Sequence, residues 1–220
     1  MTRLLLVRHC EAQGNTDNVF QGRTDCGISG NGQTQLDLLG LRLRNQPIDV
    51  LYSSPLKRAL ATAEAINQYH HLPIQIDSRL IEIDGGVFEG KHWDNLPRLY
   101  PRDFEAWQQT PWKFAPEGGE TMRQVYDRIW DGITDIVRQN QGKMICITSH
   151  GCSIRNFLCR AMGYPIERMN EINWCDNTAV SVIDFDDVFH ANVVKMNDAS
   201  HLTAENSIFQ KQSWWKHEGA

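Results

Sequence analysis

Leu4-Leu5-Leu6-Val7-Arg8-His9 decides how this chain is read. Four consecutive apolar residues form a short buried strand that ends abruptly on a guanidinium and an imidazole. In an open α/β sheet, ligands sit beyond the carboxyl ends of the strands, so such a strand delivers its last side chains to a site. Cys10-Glu11-Ala12-Gln13-Gly14-Asn15 follows, small and polar, as a loop over a ligand would be. By itself the Arg-His pair reads equally as a strand ending at the surface. Two further strands tip the balance.

Asp49-Val50-Leu51-Tyr52-Ser53-Ser54 reads as a second strand, and Met144-Ile145-Cys146-Ile147-Thr148 as another that runs into Ser149-His150-Gly151. Ser54-Pro55 predicts a helix start, with serine as N-cap and proline at the first helical position. Leu56, Ala59, Leu60, Ala63 and Ile66 make its buried stripe. Arg58 lies off that stripe within about one turn of the helix N-terminus, where a cation and free amides converge on one anion. If these strands are neighbours in a mostly parallel sheet, Arg8, His9, Arg58 and His150 meet in one pocket. Guanidinium forks pair bidentately with phosphate oxygens, and an imidazole donates to a third. The other histidine is then free to act as nucleophile, splitting one hard displacement into two easier ones. The arginines neutralise the transferring group, a task Mg²⁺ performs elsewhere. A leaving alkoxide needs a proton. Glu82, closing a strand-like segment before Gly85-Gly86, is the candidate donor, because a neighbouring phosphate disfavours its ionisation.

The remaining chain fits one α/β unit. A loop over residues 14–32 carries Gln21-Gly22-Arg23, Leu36, Leu39, Gly40 and Leu43 predict a helix over about 33–45, and Ile74-Gln75-Ile76 is a short strand. Residues 87–118, with Trp93, Trp107 and Trp112 and prolines at 97, 101, 111 and 116, read as an irregular inserted cap. The three tryptophans suit cap packing at least as well as substrate stacking. A long helix follows Gly118-Gly119-Glu120. Val180-Ser181-Val182-Ile183 and Val193-Val194-Lys195-Met196 predict a hairpin, and the segment beyond about 198, including Trp214-Trp215, a docked or frayed tail.

Composition narrows the class. The 220 residues suffice for a substantial core, with 41% hydrophobic and 22% charged residues. A net charge of −5 argues against a nucleic-acid surface. The six cysteines form no C-x-x-C pair, so neither a zinc framework nor a disulfide scaffold is expected. His70-His71 reads as an exposed helix end rather than a metal site. No stretch approaches a membrane span or a signal-peptide core. The expectation is a soluble cytoplasmic protein needing no cofactor or metal. Oligomeric state is not legible, a homodimer being one open alternative.

The ordered set Arg8-His9 with Asn15, Gln21-Gly22-Arg23, Ser53-Ser54-Pro55 with Arg58 and Thr62-Ala63, Glu82 before Gly90, Gly118-Gly119-Glu120 and Ser149-His150-Gly151 resembles the histidine phosphatase superfamily, to which phosphoglycerate mutases belong. The resemblance spans nearly the whole chain. It implies a three-layer α/β/α sandwich with a mostly parallel central sheet, forming a single domain over 1–220 with the cap inserted at about 87–118. It implies His9 as phosphorylated nucleophile, Glu82 as proton donor, and Arg8, Arg58 and His150 as phosphate binders. Asn15 is assigned to the phosphate as well, and Gln21 and Gly22 to the substrate. Two departures stand out: the family usually has Gly at the position of Cys10 and Thr or Ser at that of Ala12. Beside two cations, Cys10 is either an oxidisable thiol of depressed pKa or a small packing residue, the second being favoured. Mutases typically carry an Arg-Arg pair after a cap aromatic, where this chain reads Trp107-Gln108-Gln109. They also read His-Gly-Asn-Ser where this chain has His150-Gly151-Cys152-Ser153. The expected activity is therefore phosphatase on small phosphomonoesters. Mutase-type transfer and an inactive phosphate-binding homologue are the alternatives.

Overall fold

Alternation along the first strand sets the layers. In β1 (Thr2–Arg8), Leu4 and Leu6 join one buried cluster and Leu5 and Val7 another, as the two faces of a pleated strand require. The computed structural model describes residues 1–210. The other strands are β2 (Val50–Ser53), β3 (Ile74–Ile76), β4 (Met144–Ser149), β5 (Val180–Phe185) and β6 (Ala191–Asp198). The helices are α1 (Gln13–Thr16), α2 (Gly30–Leu43), α3 (Lys57–Asn67), α4 (Leu96–Leu99), α5 (Pro101–Gln109), α6 (Met122–Gln139) and α7 (Gly151–Ala161). Leu5 and Val7 pack with Leu39 and Leu43 of α2 and Ala63 and Ile66 of α3. Leu4 and Leu6 pack with Ile129 and Ile133 of α6 and Phe157 and Leu158 of α7. The result is the expected three-layer α/β/α sandwich. Each fully buried Leu, Ile or Phe side chain contributes about 1.5–3 kcal/mol to it.

The strands run in the order β3-β2-β4-β1-β5-β6, parallel from β3 through β1 and antiparallel at β5 and β6, which form the expected hairpin. Because β4 inserts between β1 and β2, three carboxyl ends stand side by side. Arg8 is opposite Ser149 and Ser53 opposite Thr148. The segments that follow, His9-Cys10, Ser54-Pro55 and His150-Gly151, therefore leave the sheet from one edge.

Several boundaries differ from expectation, each for a local reason. Helix α2 starts at Gly30, three residues early, because Ser29 Oγ accepts from the Gly32 amide. Helix α3 starts later than Pro55, at Lys57, with Leu56 as its N-cap and no side-chain cap bond. Its stripe is also interrupted, since Leu60 is only half-buried. Glu82 closes no strand. It lies in irregular chain between single 3₁₀ turns at Ser78–Leu80 and Gly86–Phe88. Residues 87–118 are more regular than predicted, because Pro97 and Pro101 occupy first turns of α4 and α5, where a missing N–H costs nothing. The tail docks as far as Ile208, whose amide and the Ser207 hydroxyl both donate to Asp176. Trp214-Trp215 lie outside the described residues. Among those residues, no helix is long and apolar enough to cross a membrane.

Candidate active site

His9 leaves β1 pinned on all sides. Its amide donates to Ser149 O at 2.9 Å, and its carbonyl accepts from Asn177 Nδ2 at 2.9 Å and the Thr178 amide at 3.2 Å. Its Nδ1 lies 2.6 Å from the Cys10 carbonyl. A carbonyl can only accept, so Nδ1 carries the hydrogen and Nε2 carries the lone pair. Burial, reinforced by Arg58 and Arg8, pushes the His9 pKa well below the ordinary imidazole value. His150 is lowered in the same way, by burial and then by Arg58. Both rings are thus neutral at pH 7, tilted by 51° with centroids 5.2 Å apart.

The two guanidiniums are held by backbone oxygens. Arg8 Nη1 donates to Cys175 O at 2.5 Å. Arg58 is fully buried, contrary to its place off the helix stripe, and its Nη1 and Nη2 donate to Thr24 O at 2.8 Å and Gly22 O at 2.7 Å. Among the described residues neither arginine forms an ion pair with a carboxylate, so both charges stay available. The Nε atoms of Arg8 and Arg58, Nδ1 of His150 and both amide atoms of Gln21 are buried with no partner among the described residues. Buried donors of this kind call for an acceptor. An oxyanion with several oxygens meets that need.

Glu82 is buried at the N-terminus of α7. Its Oε2 accepts from the Cys152 amide at 2.9 Å, and its Oε1 from the Ser153 amide at 3.0 Å, Ser153 Oγ at 3.1 Å and the Ile83 amide at 2.9 Å. The carboxylate thus occupies the anion-favouring end of that helix. The α3 N-terminus does not join Arg58 on one anion through its first amide as expected, since the Lys57 amide donates to Asp25 at 2.9 Å. Ser54 is likewise not a cap; its Oγ lies 2.7 Å from His150 Nε2.

One cavity, of about 520 Å³ including its open mouth, brings together Arg8, His9, Asn15, Gln21 and Glu82. Arg58, His150 and Gly22 stand outside its lining. The His150 ring lies tilted beside that of His9, and Gly22 supplies a carbonyl that holds Arg58. Phe20, Trp93, Trp107 and Trp174 complete the walls. Trp174, Ser54 and the Gly22 and Thr24 carbonyls were not legible as site components, because carbonyl anchors and ring packing leave no residue-type signature. Burial raises the Cys10 thiol to about 11, overriding Thr62 and Arg58, in agreement with the favoured reading of a small packing residue. No group of three or more His, Cys, Asp or Glu side chains among the described residues is arranged to hold a metal ion.

The chain belongs to the histidine phosphatase superfamily (branch 1), whose model matches residues 4–199. It is 33% identical to phosphoserine phosphatase 1 of Hydrogenobacter thermophilus over 203 residues, covering 92% of this chain and 95% of that one. It is 31% identical to a Salmonella choleraesuis protein named probable phosphoglycerate mutase GpmB over 214 residues, covering 93% of this chain and 96% of that one. The fold matches Bacillus stearothermophilus YhfR with a TM-score of 0.87 at 30% identity, covering 91% of this chain and 99% of that one. Members of the family named for phosphatase activity are phosphoric monoester hydrolases, the enzyme class expected from the motifs.

Proposed function

We propose that the protein hydrolyses small phosphomonoesters without a metal, through a phosphohistidine on His9. The observation that carries this is the His9 tautomer: a neutral ring, with Nδ1–H held by the Cys10 carbonyl, offers Nε2 as nucleophile in a cavity shared with Arg8 and Glu82. Arg8 and Arg58 neutralise the phosphoryl oxygens. With Ser54 Oγ donating to Nε2 of His150, Nδ1 of that ring carries a hydrogen and donates to a further oxygen. Asn15 completes the phosphate end, and Gln21 is left to the rest of the substrate. In the first step the Nε2–P bond forms, the ester P–O bond breaks, and the leaving oxygen takes a proton from the Glu82 carboxyl. In the second, water attacks phosphorus, returns a proton to Glu82 and releases inorganic phosphate, restoring the free imidazole. Residues 87–118 serve as the cap, through Trp93 and Trp107.

The mutase relative supports a competing path, in which the phosphohistidine returns its group to a second hydroxyl. Amides at Gln108 and Gln109, where mutases carry a guanidinium pair, weigh against it. Phosphate release from p-nitrophenyl phosphate, assayed with EDTA present, is expected for wild type and to fall by about three orders of magnitude or more in His9→Ala. An acid-labile, alkali-stable phosphoryl adduct should form only in the wild type. Release that needs a divalent ion, survives His9→Ala, or gives way to isomerisation of 3-phosphoglycerate would overturn the reading.

A further inference from the structure

Away from its phosphate end, the cavity is nearly free of charge. Val19, Phe20, Ile83, Trp93, Trp107 and Trp174 line it. The rings hold one another in place: Phe20 lies 5.2 Å from Trp93 and 5.3 Å from Trp107, and Trp107 stacks at 5.8 Å on Trp174. Among the described lining residues the formal charges are Arg8 and Glu82, and both are committed. Arg8 faces the phosphoryl group, while Glu82, oriented by the start of α7 and the Ile83 amide, serves the leaving oxygen. A carboxylate on the leaving group would therefore lose water against the negative faces of indole rings and find no free counter-charge. An uncharged ring would instead meet aromatic faces and edges. The Gln21 amide, both polar atoms buried without a partner among the described residues, offers one donor-acceptor mark for a hydroxyl or ring heteroatom.

Building on the phosphatase reading, we infer that the substrate is a phosphate monoester of an uncharged, ring-bearing alcohol. The tryptophan-lined wall selects it, and amino-acid and hydroxy-acid phosphates are disfavoured. Hydrolysis releases the ring alcohol with its oxygen and one proton, and water supplies the fourth oxygen of inorganic phosphate.

Benzyl phosphate, O-phosphoserine and 3-phosphoglycerate test this, because all three are alkyl esters and differ mainly in leaving-group charge and shape. For the full chain, kcat/KM should favour benzyl phosphate at least about thirty-fold over either charged ester. Equal or reversed preference overturns the inference while leaving the phosphatase reading intact. Trp93→Lys, which adds a cation at the half-buried rim, should narrow the ratio about ten-fold; an unchanged ratio overturns the role given to the wall. Calorimetry on His9→Ala measures the same preference without turnover, and benzyl phosphate should bind about ten-fold or more tighter than O-phosphoserine. Weaker or equal binding overturns the inference even where no ester is hydrolysed. Absence of hydrolysis of every ester, by contrast, counts against the phosphatase reading alone.

Discussion

Arg58 is only as well placed as the two carbonyls it donates to, and those carbonyls are placed by Glu89. Glu89 Oε1 accepts from the Arg23 amide at 2.8 Å and the Gly85 amide at 2.8 Å. Its Oε2 accepts from the Thr24 amide at 3.0 Å and from the Thr24 hydroxyl. One carboxylate therefore clamps the loop carrying Gly22 O and Thr24 O to the turn that carries Glu82, which makes Glu89 a positioning residue. Glu89→Gln turns an amide NH₂ toward one pair of these donors. Bonds to charged groups are worth about 1.5–3 kcal/mol, so kcat/KM should drop roughly ten-fold or more, with phosphate affinity weakening in parallel. Glu89→Asp should recover part of both. A residue that merely supports the fold would lower the melting temperature and leave phosphate affinity alone, so calorimetry with inorganic phosphate discriminates. Glu89 escaped the sequence reading because its work is done on backbone amides. Arg8, His9, Arg58, Glu82 and His150 were legible because their side-chain chemistry is itself the signal.

At the scale of elements, strands were more legible than helix starts or loops. Four-residue apolar runs at Leu4 and Met144 are too short for a buried helix and suit a buried strand, and β1 and β4 lie where the runs do. Ser54-Pro55 misled because the serine hydroxyl has a stronger claim elsewhere, on His150; a cap preference is worth about 1 kcal/mol and yields to tertiary context. The loop at 21–24 shows the converse, a residue dictated by what packs against it. A Cβ on Gly22 would fall 2.1 Å from Glu89 Oε1 and 2.2 Å from Ile83 O, one of them backbone that cannot yield cheaply. Gly22→Ala is therefore expected to cost about 1–3 kcal/mol in denaturant unfolding and to lower activity by displacing the Arg58 anchor. Gly27→Ala, in the same long loop, meets nothing within 4 Å and should be near neutral on both counts. Equal effects at the two positions would show that the loop does not hold Arg58.

For the whole molecule, three neutral histidines couple folding to pH. His9 and His150 are held well below the ordinary value, chiefly by burial with Arg58 adding, and His201 is lowered to about 4 by burial and Arg42. His201 bridges Arg42 and Thr178, and the amide of Thr178 donates to the His9 carbonyl, so the tail segment joins the same network. The unfolded chain binds protons at these rings near pH 6.5, while the folded chain does not. Stability therefore rises with pH across the window below about 6.5 and is lost as pH falls through it, with no loss from these rings above it. Urea unfolding at constant ionic strength should accordingly give a flat free energy from pH 8 to 7 and a progressive decline from 6.5 towards 4. On the proposed reading, inorganic phosphate binds the folded state alone, beside Arg8 and Arg58, and at a hundred times its dissociation constant should add about 2.7 kcal/mol. Its charge offsets the two guanidiniums that add to burial in keeping the imidazoles neutral, so bound phosphate should also soften the decline. Arg58→Ala should abolish both effects of phosphate. A stability that is independent of pH between 7 and 5, or a phosphate effect that survives Arg58→Ala, would mean that the buried imidazoles and the anion site are not coupled as their geometry requires.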